Sequence, residues 1–153
     1  MITVVFNIAG REYGAGIDQV RQVIRMRKVT PVPDAADFVE GVISLRGKVV
    51  TLVNLRRKLG MEKRPLDKTA RIIVTEVDGH ILGMIVDNVS DVTNIDQENI
   101  SGPDENLKEA SYLKGIAKLD NRIILIADIG KLLSVEDKVG IGRVATRVEI
   151  KKK

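Results

Sequence analysis

Residues 71–86 read RIIVTEVDGHILGMIV, two apolar runs joined by Asp78-Gly79. Both runs are rich in isoleucine and valine, which favour extended backbone. The Asp-Gly pair between them supplies the two positive φ angles that a type I′ turn requires. This stretch therefore predicts an antiparallel β-hairpin with Asp78 and Gly79 in its turn.

The same pattern continues on both sides of this hairpin. Short apolar runs separated by turn residues occupy residues 3–8 and 11–14, 42–46 and 48–55, and 115–119 and 122–127. Strands that recur every eight to twelve residues are typical of sandwiches and small barrels. The sequence therefore predicts an all-β fold rather than a parallel α/β sheet.

Helical signals are brief. Four aliphatic residues share one helical face behind Asp18, although a twisted strand could also begin within this stretch: Ile17, Val20, Val23 and Ile24. Asp34 could cap one or two turns that end at Gly41, and a helical turn is expected at 58–60. Asp128 is expected to cap a helix over 129–135. The tail 138–153 is expected to be helical or disordered.

The composition excludes several kinds of site. The 153 residues include no cysteine and a single histidine, His80. Disulfides, thiolate nucleophiles, cysteine zinc sites and two-histidine metal sites are therefore ruled out. No apolar run approaches the ~18 residues of a membrane span, and no basic leader precedes an apolar segment. We expect a cytoplasmic protein without direct membrane insertion.

Charge is distributed unevenly along the chain. Residues 1–71 have a net charge of +7, residues 72–137 of −8, and the tail 138–153 of +5. The basic tail suggests nucleic acid, but only four scattered aromatic residues are available for stacking. The opposed charges of the remainder fit docking between oppositely charged protein surfaces at least as well.

Catalytic patterns are weak. None of the five serines lies in a Gly-x-Ser-x-Gly elbow, and no glycine-rich segment has dinucleotide-binding spacing. The acidic residues between Asp87 and Glu109 lack the register of a calcium loop and are interpreted as solvated loop residues. No catalytic residue, metal site or cofactor is predicted.

Arg46 is unusual among the turn residues, because a long cationic side chain here lies beside Gly47 between two apolar strands. Its stem could cover the edge of the core while its charge stays in water. Its planar fork could instead present a rigid contact to a carboxylate or to backbone carbonyls. The sequence leaves the two interpretations open.

The segment 41–56, GVISLRGKVVTLVNLR, resembles the Asn-Leu-Arg-Gly signature region of the CheW family of bacterial chemotaxis adaptors. Further matches follow in order along the chain, covering residues 3–135. They are the opening hairpin with Phe6 and Tyr13, the motif at 20–23, the crossover at 31–41, the Gly-x-x-Val-Asp-x-Val-x-x-Val pattern at 83–92, and the segments 115–117 and 128–133.

The resemblance implies an all-β fold of two five-stranded, SH3-like β-barrel lobes packed side by side, with short helices. The CheW-like domain would span 1–137, with lobes at roughly 14–82 and at 1–13 with 83–137, followed by the basic tail. It further implies no catalysis. The adaptor would bind the cytoplasmic tip of methyl-accepting chemotaxis receptors in a groove between the lobes, and the regulatory domain of the histidine kinase CheA, at membrane-bound receptor arrays.

Eight positions are carried over as candidates for the partner-binding groove and its support: Val20, Gln22, Val23, Gly41, Arg46, Gly83, Val89 and Val92. The family usually has glutamate where this chain has Gln22, as the expected partner of the motif arginine. A hydrogen bond between Arg46 and Gln22 would be weaker than a charge-assisted one. Ser44, Thr51 and Asn54 also replace the usual family residues. The alternative function is a small β-barrel protein that binds nucleic acid through its basic tail.

Overall fold

The computed structural model describes residues 1–62, 64–102 and 111–132. The predictions for 133–153, including the tail, lie outside the described residues. Eleven strands form most of the fold: Ile2–Ile8 (β1), Arg11–Gly16 (β2), Gln22–Arg25 (β3), Val39–Leu45 (β4), Lys48–Asn54 (β5), Arg71–Val77 (β6), His80–Val86 (β7), Asn88–Asn94 (β8), Ile100–Ser101 (β9), Leu113–Leu119 (β10) and Arg122–Ala127 (β11). The predicted all-β class is confirmed.

The strands form two sheets. The first has the order β8-β1-β2-β11-β10-β9, and the second has the order β3-β6-β7-β5-β4. The hairpin predicted from residues 71–86 is present as β6 and β7 in antiparallel register. Asp78 and Gly79 have φ of 51° and 81°, as a type I′ turn requires.

Two of the predicted helical turns are present, the first at 55–58 rather than at the predicted 58–60. Leu55–Lys58 (α1) begins after Asn54, whose side chain accepts a hydrogen bond from the Arg57 amide. Ile129–Leu132 (α2) begins after Asp128, whose carboxylate accepts from the Gly130 amide. Short polar side chains at these positions satisfy amides that have no partner within the helix.

For residues 17–24 the helical alternative is wrong and the strand alternative is confirmed, and the helix expected after Asp34 is also wrong. Residues 17–24 form a single 3₁₀ turn, Ile17–Gln19, and then β3, because the Arg21 amide and the strand that follows pair with the free edge of β6. Turns lie at residues 33–34 and 37–38, with Asp34 at φ 61°, and β4 begins at Val39. Gly41 ends no helix but lies within β4. Strand pairing therefore overrides the local helical pattern.

Both sheets have the same topology. The five strands of the second sheet correspond one to one to five strands of the first. In sheet order, β3, β6, β7, β5 and β4 of the second sheet are equivalent to β8, β1, β2, β11 and β10 of the first. Each sheet contains one parallel pair, β5 with β7 and β11 with β2. In register, residues 41–58 correspond to 115–132 and residues 71–85 to 2–16. The chain is thus an internal repeat, in which the N-terminal hairpin completes the copy formed by the later strands.

We call β1, β2 and β8–β11 the first lobe and β3–β7 the second lobe. Gly14–Gly16 pair within the first lobe, and Gly83–Val86 pair within the second. The lobe boundaries therefore lie at least three residues later than the approximate 13/14 and at least four later than 82/83.

Each lobe has its own core, and a third core lies between them. Along β7, Leu82, Met84 and Val86 face the shared core, whereas Ile85 faces the interior of the second lobe. The shared core also receives Phe6 and Tyr13 from the first lobe, with ring centroids 5.9 Å apart. Both faces of the second sheet are therefore covered by apolar side chains.

Asp87 joins the lobes at the junction of β7 and β8. Its carboxylate accepts from Nε of Arg56 at 2.8 Å and from the backbone amide of Ala9 at 2.8 Å. Burial acts to raise the pKa of Asp87, but the hydrogen bonds from Arg56 and from the Ala9 amide, together with the charges of Arg56 and Arg64, outweigh it and hold this pKa below its usual range. The carboxylate therefore ties α1 of the second lobe to the first hairpin of the other lobe.

We expect Asp87→Asn to lower the free energy of unfolding at pH 7 by roughly 3 kcal/mol, because Arg56, which is 8% exposed, loses its acidic partner. Since the folded-state pKa of Asp87 is depressed, its stabilisation is complete above the unfolded value and is lost as pH falls through the folded one. The difference between wild type and variant should therefore shrink below about pH 4. Urea unfolding at pH 7 and pH 3 measures it, and an equal difference at both pH values would contradict this account.

Candidate functional site

Three predicted site residues lie in one cross-strand row of the second lobe. From edge to edge, the register places Gln22 opposite Val74, Val74 opposite Gly83, Gly83 opposite Leu52, and Leu52 opposite Gly41. Directly paired residues point to the same face of a sheet. The Gln22 side chain therefore points to the same face as Val74 and Leu52, which belong to the second-lobe core.

The two glycines of this row allow neighbouring atoms to pack closely, because a side chain at either position would collide with them. A Cβ on Gly83 would lie 2.6 Å from Cγ2 of Ile72 and 2.7 Å from Cδ2 of Leu52. A Cβ on Gly41 would lie 2.3 Å from the carbonyl oxygen of Thr30, at φ +148°. The equivalent glycines of the first lobe, Gly14 and Gly115, are equally crowded. Both predicted glycines therefore support the site rather than line it.

Arg46 and Gly47 form the two-residue turn between β4 and β5, with φ of 51° and 78°. This turn and Gln22 surround the open end of the second-lobe core, which we call the second-lobe mouth. Its apolar floor consists of Leu45, Val50, Val74 and Ile81. Its polar rim consists of Arg21, Gln22, Arg46 and Lys48.

The mouth has a volume of about 220 Å³. Pockets for small-molecule ligands usually measure about 300–1,000 Å³. This pocket is thus smaller than those that hold cofactors, and it suits a single inserted side chain. Among the described residues, no group of three histidine, aspartate or glutamate side chains is placed to hold a metal ion.

Positive charge dominates the rim. Arg21 forms an ion pair with Glu76, with Nη1 and Oε2 3.0 Å apart. Arg46 and Lys48 are exposed, and no described side chain forms a hydrogen bond or ion pair with either. Arg46 and Gln22 therefore share the mouth without a hydrogen bond between them. Lys48 was not singled out from the sequence, although it flanks the same two-residue turn.

The remaining predicted residues, all valines, lie elsewhere. Val20 and Val89 are half-buried against the shared core. Val23 in β3 pairs with Ile73 and is 38% exposed, and Val92 in β8 pairs with Val4 and is 59% exposed. The last two belong to edge strands, one in each sheet. The valines are therefore associated with the core between the lobes and with edge strands, apart from the mouth.

Comparison with known proteins agrees with this architecture. The family model described as "CheW-like domain" matches residues 3–137. The chain belongs to the CheW family. It is 33% identical over 143 residues to the chemotaxis protein CheW of Klebsiella aerogenes, covering 92% of this chain and 86% of that protein. It is 30% identical over 135 residues to CheW of Bacillus subtilis, covering 87% and 86%.

A solved CheW structure has the same fold. The crystal structure of the scaffolding protein TtCheW from Thermoanaerobacter tengcongensis matches with a TM-score of 0.82 at 35% identity, covering 89% of this chain and 94% of that one. CheW proteins are non-enzymatic chemotaxis scaffolds, and the two β-rich lobes described above are consistent with their SH3-like architecture. Within the described part of the chain, no helix is long and apolar enough to cross a bilayer.

Proposed function

We propose that this CheW-family chain is an adaptor that couples methyl-accepting chemoreceptors to a CheA-type histidine kinase. It would act on the cytoplasmic side, at membrane-bound receptor arrays. The match of the family model over residues 3–137 carries the proposal, because it spans both lobes rather than a single motif. The relatives bear the name chemotaxis protein, and the matched structure bears the name scaffolding protein.

Two surfaces support a role in binding more than one protein. Val23 and Val92 offer exposed apolar side chains on edge strands. Family membership implies an apolar groove between the lobes, and Val20 and Val89, half-buried against the shared core, would support it. Such a groove would take the anchors of a helical receptor tip at helical spacing. The second-lobe mouth offers a separate cationic surface at Arg46. Coupling then requires that the adaptor bind one receptor state more tightly than another.

The direct test is titration calorimetry of the purified chain against two proteins from the same bacterium. One is the receptor signalling tip and the other is the CheA regulatory domain. We expect a dissociation constant of tens of micromolar or tighter for each. An absence of heat with both partners at these concentrations would contradict the adaptor function.

The alternative function, nucleic-acid binding, rests on the basic tail, whose net charge is +5. We expect a chain truncated after residue 137 to keep its affinity for receptor tip and kinase domain within about twofold, because both proposed surfaces lie in the folded lobes. A fluorescence polarisation titration with a labelled oligonucleotide serves as the control. Loss of both protein partners on truncation, together with tail-dependent oligonucleotide binding, would favour the alternative.

A further inference from the structure

The internal repeat gives the second-lobe mouth a counterpart within the same molecule. By strand register, Gln22, Lys48 and Ile81 of the second lobe correspond to Asp91, Arg122 and Glu12 of the first. The two turns between the equivalent strands also correspond, so that Arg46 and Asp120 occupy one position, with φ of 51° and 52°. The two mouths can therefore be compared residue by residue.

The first-lobe mouth is closed by an ion-pair network. Nη2 of Arg122 lies 2.8 Å from Oε1 of Glu12 and 3.2 Å from Oδ1 of Asp91. The guanidinium thus joins the second strand of the opening hairpin to the edge strand β8. These contacts raise the pKa of Arg122 above its usual value. A planar guanidinium between two carboxylates is a stable, charge-assisted arrangement.

The second-lobe mouth keeps the cation of this arrangement and lacks both acids. Lys48 takes the place of Arg122, whereas the two carboxylates are replaced by the amide of Gln22 and the side chain of Ile81. At the turn, Arg46 replaces Asp120. The same four positions therefore carry a charge of −2 in the first lobe and +2 in the second.

We propose that the second-lobe mouth receives the side chain of an aspartate or glutamate from a protein partner. This carboxylate would supply from outside what Glu12 and Asp91 supply within the first lobe. The inference rests on the proposed function, since the partner is either the receptor tip or the kinase regulatory domain. It adds the chemistry of the contact: one acidic side chain, held by Arg46 and Lys48.

The floor of the mouth distinguishes a protein carboxylate from a phosphate. Below the cationic rim lie Val50, Val74 and Ile81. The aliphatic stem of a glutamate, or an apolar neighbour on the partner, would cover these side chains while its carboxylate stays at the rim. A phosphate group has no apolar part to place there and prefers backbone amides and several donors.

A zero-length carbodiimide coupling tests this contact, because it joins an amine to a carboxylate only when they form a close pair. The preformed complex with either the receptor tip or the CheA regulatory domain is coupled, digested and mapped by mass spectrometry. We expect a bond between Nζ of Lys48 and a partner aspartate or glutamate. Lys114 and Lys118, exposed on β10 of the first lobe, provide internal controls. A complex that couples through other lysines and never through Lys48 would overturn the inference.

Charge removal provides the second readout. We expect the double variant Arg46→Gln, Lys48→Gln to weaken binding of that partner at least tenfold at 50 mM salt, and to flatten its salt dependence. The matched control, Lys114→Gln with Lys118→Gln, has the same change in net charge and should bind within twofold of wild type. If both double variants bind the partner with equal affinity, the inference about the mouth is contradicted, whereas the proposed function is not. No binding by the unsubstituted chain would contradict the proposed function as well. Binding of an oligonucleotide that depends on Arg46 and Lys48, without a Lys48 coupling product, would reassign the mouth to phosphate.

Discussion

Gly41→Ala is expected to lower the free energy of unfolding by roughly 3 kcal/mol or more, a large loss of stability for a single added methyl group. The new Cβ would lie 2.3 Å from the carbonyl oxygen of Thr30 and 2.8 Å from Cγ1 of Val29. The backbone oxygen cannot move away easily, because Thr30 exchanges two hydrogen bonds with Val42. At φ +148° the backbone itself also disfavours a side chain.

Gly47→Ala provides the matched control for Gly41→Ala. Gly47 also has a positive φ, +78°, but nothing lies within 4 Å of the position that a Cβ would take there. Its substitution measures backbone strain alone, about 1 kcal/mol. Urea unfolding of both variants should therefore separate strain from collision. Equal losses of stability in the two variants would show that the Thr30 backbone moves away from the new Cβ at no measurable free-energy cost, which would contradict the expected collision.

Arg46→Glu is expected to leave the fold intact and to weaken partner binding by about 30-fold or more, a loss of about 2 kcal/mol or more. Arg46 is exposed and forms no ion pair with the described residues, so folding loses no contact of this kind. Its turn conformation is equally accessible to glutamate. The substitution places a negative charge where we infer that a partner carboxylate binds, so attraction becomes repulsion.

Binding is measured by titration calorimetry, and folding by thermal unfolding followed by circular dichroism. The control is Lys118→Glu, which reverses an exposed charge on the other lobe. We expect both variants to unfold within about 2 °C of wild type, since exposed substitutions usually change stability by no more than about 0.5 kcal/mol. If the unfolding temperature falls for Arg46→Glu and not for Lys118→Glu, Arg46 is mainly structural. This result would favour the interpretation that its aliphatic stem covers the edge of the core.

Sequence reasoning predicted the hairpins because their turns are encoded locally. Asp78-Gly79 and Ala9-Gly10 both take the positive φ angles that two-residue hairpins need. It could not choose between helix and strand at 17–24, because the four-residue strand there is fixed by pairing with β6 rather than by its own periodicity. A partner strand distant in the chain leaves no trace in a local helical pattern.

The internal repeat was missed, although a signal for it exists. Residues 41–55 read GVISLRGKVVTLVNL, and residues 115–129 read GIAKLDNRIILIADI. Aligned without a gap, both begin with the crowded glycine, keep the leucine before the turn, and place Asn54 and Asp128 as helix caps. Few residues are identical, so the likeness lies in size and polarity rather than in letters.

The candidate site was predictable only in part. The family resemblance selected Gln22 and Arg46, and the structure places both at one mouth. It also selected Gly41 and Gly83, whose role in packing follows from distances that no sequence pattern contains. Lys48 and the contrast with Arg122 emerge only when the two lobes are compared in register.

Transmission of receptor state to a kinase is tested most directly by CheA autophosphorylation, measured with membrane-inserted receptors in the presence and absence of the purified chain. We predict that receptor-dependent kinase activity requires the chain and is strongly reduced when the Arg46→Glu variant replaces it. Kinase activity that is the same with and without the chain, at concentrations that saturate receptor and kinase, would contradict the adaptor function.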